Sequence, residues 1–169
     1  MKNDLSWMIE AKQYIGLAEI KGAQHNPIIL GWLRKLKAWW TDDETPWCGT
    51  FIAAVLVRTS RGTPKHWYRA KAYLKWGTKL GRPAYGSIAV KSRKGGGHVF
   101  FVAGETPDGD IVGLGGNQGD KVSLARFSRE DIIDYMWPPT AKGEKRLPSM
   151  SRYRLPVYTH DLQPPASEA

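Results

Sequence analysis

Apolar residues recur at three- and four-residue spacing from Leu5 to Ala18, at Leu5, Trp7, Met8, Ala11, Tyr14, Ile15 and Ala18. This spacing predicts an amphipathic helix, with Asn3 or Asp4 placed to cap it. After Gly22, the stretch NPIILGWLRKLKAWW opens with Asn26 at an N-cap position and Pro27 at the first helical position, so a second helix is expected to about Trp40. The acidic run TDDETPW gives way to CGTFIAAVLVR, which is apolar on every side and is therefore expected as a helix packed inside the core. Cys48 falls in its first turn. Arg61-Gly62-Thr63-Pro64 breaks the chain, and His66 to Trp76 reads as a fourth helix closed by Gly77.

Beyond Pro83 the period changes. Short apolar segments, SIAV, HVFFVAG, DIVGLGG and KVSLARF, alternate with glycine-rich or charged turns, the pattern of consecutive antiparallel strands. Thr106-Pro107-Asp108-Gly109-Asp110 has the composition of a hairpin turn. Ser128, followed by Glu130 and Asp131, looks like a capped start, so a short last helix is expected over Ser128 to Tyr135. Helices first and strands second predict an α+β domain with N-terminal helices packed on a small antiparallel sheet. The expected organisation is one domain over residues 1–138 and a basic, proline-rich, loosely held tail over 139–169.

Length and charge narrow the possibilities. The 169 residues suffice for one ordinary domain. Twenty-five Lys and Arg against 16 Asp and Glu leave a net charge of +9, which points toward an anionic polymer or surface. The start of the chain lacks the apolar core of a signal peptide, and the longest apolar run, Phe51 to Val57, is far short of the roughly 20 residues that span a bilayer. The expectation is a protein made without Sec-type export and without stable membrane insertion. The single cysteine excludes an internal disulfide framework and a multi-thiolate zinc site, and no metal or other cofactor is expected.

Cys48 then needs an explanation of its own. A thiol at a helix N-terminus has its thiolate favoured by unpaired backbone N–H groups and by the helix dipole. On position alone a lone cysteine reads first as a small buried hydrophobe. Among the histidines, His25 lies in a polar loop, His66 opens a basic segment and His160 sits in the expected tail. His98 differs, because it follows Gly95-Gly96-Gly97 and opens the strand HVFFV, where the strand would hold the imidazole in place. Between Glu44 and Glu105 there is no carboxylate, although the stretch holds eleven Lys and Arg residues, so a group orienting the base must come from elsewhere. LGGNQGD supplies Asn117, Gln118 and Asp120, and Asn117 can accept from a ring N–H or simply adopt a left-handed turn. Trp39, Trp40 and Trp47 fall around this expected cleft, whereas Trp7 and Trp32 have the spacing of core residues.

PWCGTF on a helix, GGGHVFFV on one strand and LGGNQGD on the next resemble, in that order, the NlpC-type and CHAP papain-like cysteine hydrolases of the bacterial cell wall. An upstream segment from Ala11 to Ile28 or Ile29, then RAKAYLKWG and YMWPP, extend the likeness to a phage-associated single-domain branch over about residues 5 to 138. The chain departs from it at Ser87, where many members have Asp, and at Gly115, where CHAP members often have Glu.

The resemblance implies a papain-like fold with Cys48 as nucleophile, His98 as general base and Asn117 as its orienter. It implies cleavage of an amide bond in peptidoglycan, by an endopeptidase or an N-acetylmuramoyl-L-alanine amidase. Trp47, Glu19 and Asp43 are candidates for substrate binding. The expected context is a monomeric phage endolysin made in the host cytoplasm and acting in the periplasm or cell wall after release, with anionic envelope polymers as further partners. An interbacterial toxin of the same fold is the nearest alternative. The rival from another class is a basic nucleic-acid-binding protein using residues Arg58 to Lys94 with Trp67, Tyr68 and Tyr73 as stacking groups; it leaves the ordered Cys, His and Asn motifs unexplained, and no nucleic-acid partner is expected.

Overall fold

The computed structural model of the protein describes residues 3–20, 25–40, 46–93 and 96–159. Three α-helices, α1 (Ser6–Lys12), α2 (Pro27–Lys35) and α3 (Cys48–Arg58), precede six strands: β1 (Thr78–Lys79), β2 (Ile88–Arg93), β3 (Gly96–Glu105), β4 (Ile111–Gly115), β5 (Ser123–Phe127) and β6 (Ile132–Trp137). The strands form one antiparallel sheet in the order β1-β6-β2-β3-β4-β5. The α+β class and the helix-then-sheet order follow the expectation.

Alternation along the strands gives the sheet two apolar faces. Val99, Phe101 and Ala103 of β3 and Val112 and Leu114 of β4 face the layer of Trp7, Met8, Phe51, Ile52 and Val55 from α1 and α3. Phe100, Val102, Ile111, Ala125, Phe127 and Tyr135 build a smaller core on the opposite face, where Phe100 and Phe127 stack with centroids 4.2 Å apart. Trp7 and Trp32 are core residues, as their spacing predicted.

α1 is shorter than expected. It stops at Lys12, Gly16 turns the chain at φ +98°, and the next residues run beside the loop after β4: Gly16 N–H donates to Val122 O, Val122 N–H to Leu17 O, and Ala18 bridges Lys121. Asn26 caps α2 as predicted, its side chain accepting from Ile28 and Ile29 N–H, but the helix ends at Lys35 rather than near Trp40, where Lys37 takes a left-handed conformation. Within His66–Trp76 only Ala70–Lys75 is helical, as a 3-10 helix.

The largest correction concerns residues 128–135. Ser128 does cap, accepting from Glu130 N–H, but only a 3-10 turn over Arg129–Asp131 follows, and Ile132 onward is β6, paired with both β1 and β2. The segment after Trp137 also differs from a loose tail as far as Thr159. Arg152 O accepts from Tyr85 N–H, Pro156 O from Glu105 N–H, and Tyr158 N–H donates to Glu105 O, while Arg82 lies 3.8 Å from the Tyr153 ring centroid. His160 and the rest of that tail lie outside the described residues.

Candidate active site

α3 begins at Cys48, with Trp47 as its N-cap residue, so the thiol sits on the turn whose N–H groups have no intrahelical acceptor. That turn is wedged from two sides. On one, a Cβ added at Gly49 would come 2.5 Å from Trp67 O, so only glycine lets the 67–68 backbone lie this close. The buried Tyr73 hydroxyl reaches Gly49 O at 3.1 Å and Trp67 O at 3.0 Å, tying the two segments together. On the other, Gly116 lies against the Trp47 ring, where an added Cβ would sit 2.8 Å from it.

His98 opens the buried part of β3, only 2% exposed, with its ring against Phe100 and Phe127 at 5.7 and 5.6 Å. The Cys48 thiol lies within hydrogen-bonding reach of the His98 imidazole and the Val99 N–H. Burial pushes the thiol's pKa up; the hydrogen bond and charge of His98, the Val99 N–H and the Arg93 cation outweigh it and leave it below the ordinary cysteine value. For Tyr73, burial first and the nearby Cys48 charge second raise the hydroxyl well above its usual range, so it stays a neutral donor.

The side chain that meets the far nitrogen of His98 is that of Gln118 rather than Asn117. Gln118 is fully buried and its Oε1 lies 3.0 Å from His98 Nε2. Its amide nitrogen donates to Ser123 O at 2.8 Å and, at longer range, to Gly113 O and the Ser123 hydroxyl, which fixes Oε1 as the atom facing the imidazole. With Oε1 as the facing atom, this bond is His98 Nε2–H donating to Gln118 Oε1. Asn117 takes the left-handed turn conformation, φ +58°, that sets Gln118 in place. Gly115 leaves room for this amide, since an added Cβ would meet Gln118 Oε1 at 2.3 Å.

Two of the expected substrate contacts, the buried Trp47 and the half-buried Glu19, meet each other. Trp47 is 1% exposed, and its indole N–H donates to Glu19 Oε1 at 3.0 Å, so this pair braces the start of α3. Glu19 is brought there by the pairing of residues 16–19 with the 120–122 loop, Glu19 N–H donating to Asp120 O. Asp43 lies outside the described residues. Trp39 is 85% exposed and continues an aromatic row through Trp40 to Tyr68 at the cleft rim. The cleft beside Cys48, about 340 Å³, is walled by Tyr68, Arg69, Lys71, Arg93 and the Gly96–Gly97 backbone. A larger apolar hollow between α2 and α3, against Tyr14, is remote from the thiol.

Among the described residues no group of three His, Cys, Asp or Glu side chains is arranged to hold a metal ion, and no helix is long and apolar enough to cross a membrane. No protein-family model, curated protein or solved structure matches the chain at a significant level.

Proposed function

We propose that this protein is a papain-like cysteine hydrolase that cleaves an amide bond in the peptide part of bacterial peptidoglycan. One observation carries the proposal: a thiol at a helix N-terminus touching a buried histidine whose far nitrogen is held by an amide oxygen, Cys48–His98–Gln118. That order of contacts is what acyl transfer by cysteine needs. The motif order around Cys48 and His98 supplies the cell-wall substrate class, and the +9 charge suits an enzyme held on an anionic envelope.

In the proposed reaction the Cys48 thiolate attacks the amide carbonyl carbon, and the carbonyl oxygen takes the negative charge. The Cys48 backbone N–H, at the unpaired start of α3, is positioned to stabilise that charge. Collapse of the intermediate breaks the C–N bond as the His98 imidazolium gives its Nδ1 proton to the departing amine. A water deprotonated by His98 then hydrolyses the thioester, which releases the acid and restores the thiol. Gln118 keeps the Nε2 tautomer throughout. The preferred setting is a phage endolysin, with an interbacterial toxin as the alternative setting for the same chemistry.

The test is mass spectrometry of fragments released from purified peptidoglycan by the wild type and by Cys48→Ala. New amine and carboxyl termini with the wild type alone are expected, and their position names the bond. Equal release by both proteins, or none from walls of several chemotypes, would overturn the proposal.

A further inference from the structure

Among the described residues, the charged side chains that wall the thiol cleft are all cationic. Arg69 and Lys71 are exposed, Arg93 is half-buried, and the described lining contains no Asp or Glu. The three cations come from two elements: Arg69 and Lys71 from the start of the 3-10 helix Ala70–Lys75, and Arg93 from the end of β2. The fold brings the second element to the first.

Local packing supports two of them. The Lys71 stem lies along the β3 backbone, where a Cβ at Gly97 would come 3.3 Å from its Cγ, and the Arg69 guanidinium sits 5.6 Å from the Tyr68 ring centroid. Arg93 is close enough to act electrostatically on Cys48. A negatively charged substrate approaching a thiolate meets like-charge repulsion unless cations surround the approach, and a cationic substrate meets these cations instead.

From this arrangement we propose that the cleft is a carboxylate subsite: Arg69 and Lys71 at its rim select acyl donors that carry a free carboxylate next to the scissile amide. Guanidinium and ammonium groups bind carboxylates through charge-assisted hydrogen bonds, and Arg does so with two at once. Built on the hydrolase reading, the inference narrows the substrate to stem peptides with ionised side or terminal carboxylates; amidated stems are poor substrates.

The experiment uses one pool of muropeptides, half of it amidated at its free carboxylates with ammonia and a carbodiimide. Wild-type kcat/KM is expected to fall about tenfold or more on amidation, the effect of losing a charge-assisted pair. That preference shrinks toward unity in Arg69→Gln combined with Lys71→Gln and persists in Lys145→Gln, an exposed cation of the C-terminal segment. Wild type cleaving both pools equally would overturn the subsite while leaving the hydrolase reading standing. If wild type cleaves neither pool the hydrolase reading falls, and titration of Cys48→Ala with the two pools decides the subsite by itself. Tighter binding of the free carboxylates supports it, and equal affinity overturns it.

Discussion

Gln118 commits its amide N–H groups to Ser123 and Gly113, so its oxygen has one direction left, toward His98 Nε2. An alanine there frees the imidazole to rotate and to take the other tautomer, and kcat is expected to drop by about 10²-fold, the lower end of what a positioned acid–base contributes. Asn117→Gly accepts the same left-handed φ without strain and is expected to keep kcat within about twofold of wild type. Steady-state kinetics on released muropeptides separates the two; the reverse pattern would restore Asn117 as the orienter. Asn117 and Gln118 are adjacent, both amides, and only the backbone turn decides which one points inward, so the sequence pattern located the loop but not the side chain. A second residue-scale prediction concerns the thiol. Because His98, Val99 and Arg93 together outweigh burial, alkylation of Cys48 by iodoacetamide should gain its thiolate-dependent rate at a pH below that of an ordinary cysteine. In His98→Ala burial acts with less opposition, so the inflection moves to higher pH. A profile unchanged by that substitution would refute the contact.

At the scale of elements, the start of α3 is held by close backbone approaches that only glycine allows. Gly116→Ala puts a Cβ 2.7 Å from Phe51 Cβ and 2.8 Å from the Trp47 ring, so the helix or the loop must shift. Overpacking of this kind costs about 1–3 kcal/mol, and in a chain of this size each kcal/mol lowers Tm by about 2–4 °C. Calorimetry should show that loss and, on the proposed mechanism, a reduced kcat, because the displaced element carries Cys48; a variant with wild-type Tm would mean the loop yields freely. Tightly apolar α3 and the alternating strands were legible from periodicity alone, as were the Asn26 cap and the Thr106–Asp110 turn, where Thr106 N–H donates to Asp110 O. β6 was not. Its local signals, Ser128 with Glu130 and Asp131 behind it, suit a helix start, and they do form one turn. What makes Ile132–Trp137 a strand is pairing with Ala89 and Met136's partner Ile88, more than forty residues back in the chain, and such non-local pairing leaves no periodic trace.

For the molecule as a whole, the C-terminal segment changes what counts as the folded unit. Proline content and charge suggested a loose tail from Pro138, because neither periodicity nor an apolar run marks residues 139–158. The segment docks instead through backbone hydrogen bonds that composition cannot forecast. Val157 pairs in parallel with Glu105 at the end of β3, and Gly104 is bare because Pro156 O and the Tyr158 ring occupy the space its Cβ would fill. β3 carries His98 at its other end, so the segment docks on the same strand as the candidate site. A chain ending at Ser149 loses the three backbone bonds made by Arg152, Pro156 and Tyr158. At about 0.5–1.5 kcal/mol each, their loss is expected to lower stability by about 2–4 kcal/mol. Urea unfolding measures this directly. The shortened chain should show an earlier midpoint and, because less surface is buried, a smaller slope. Its His98 end of β3 remains paired with β2, so Cys48 alkylation should keep its wild-type pH dependence even as the midpoint falls. An unchanged midpoint would return residues 150–158 to the role of a passive tail, and a shifted alkylation profile would show that the site depends on the segment as well.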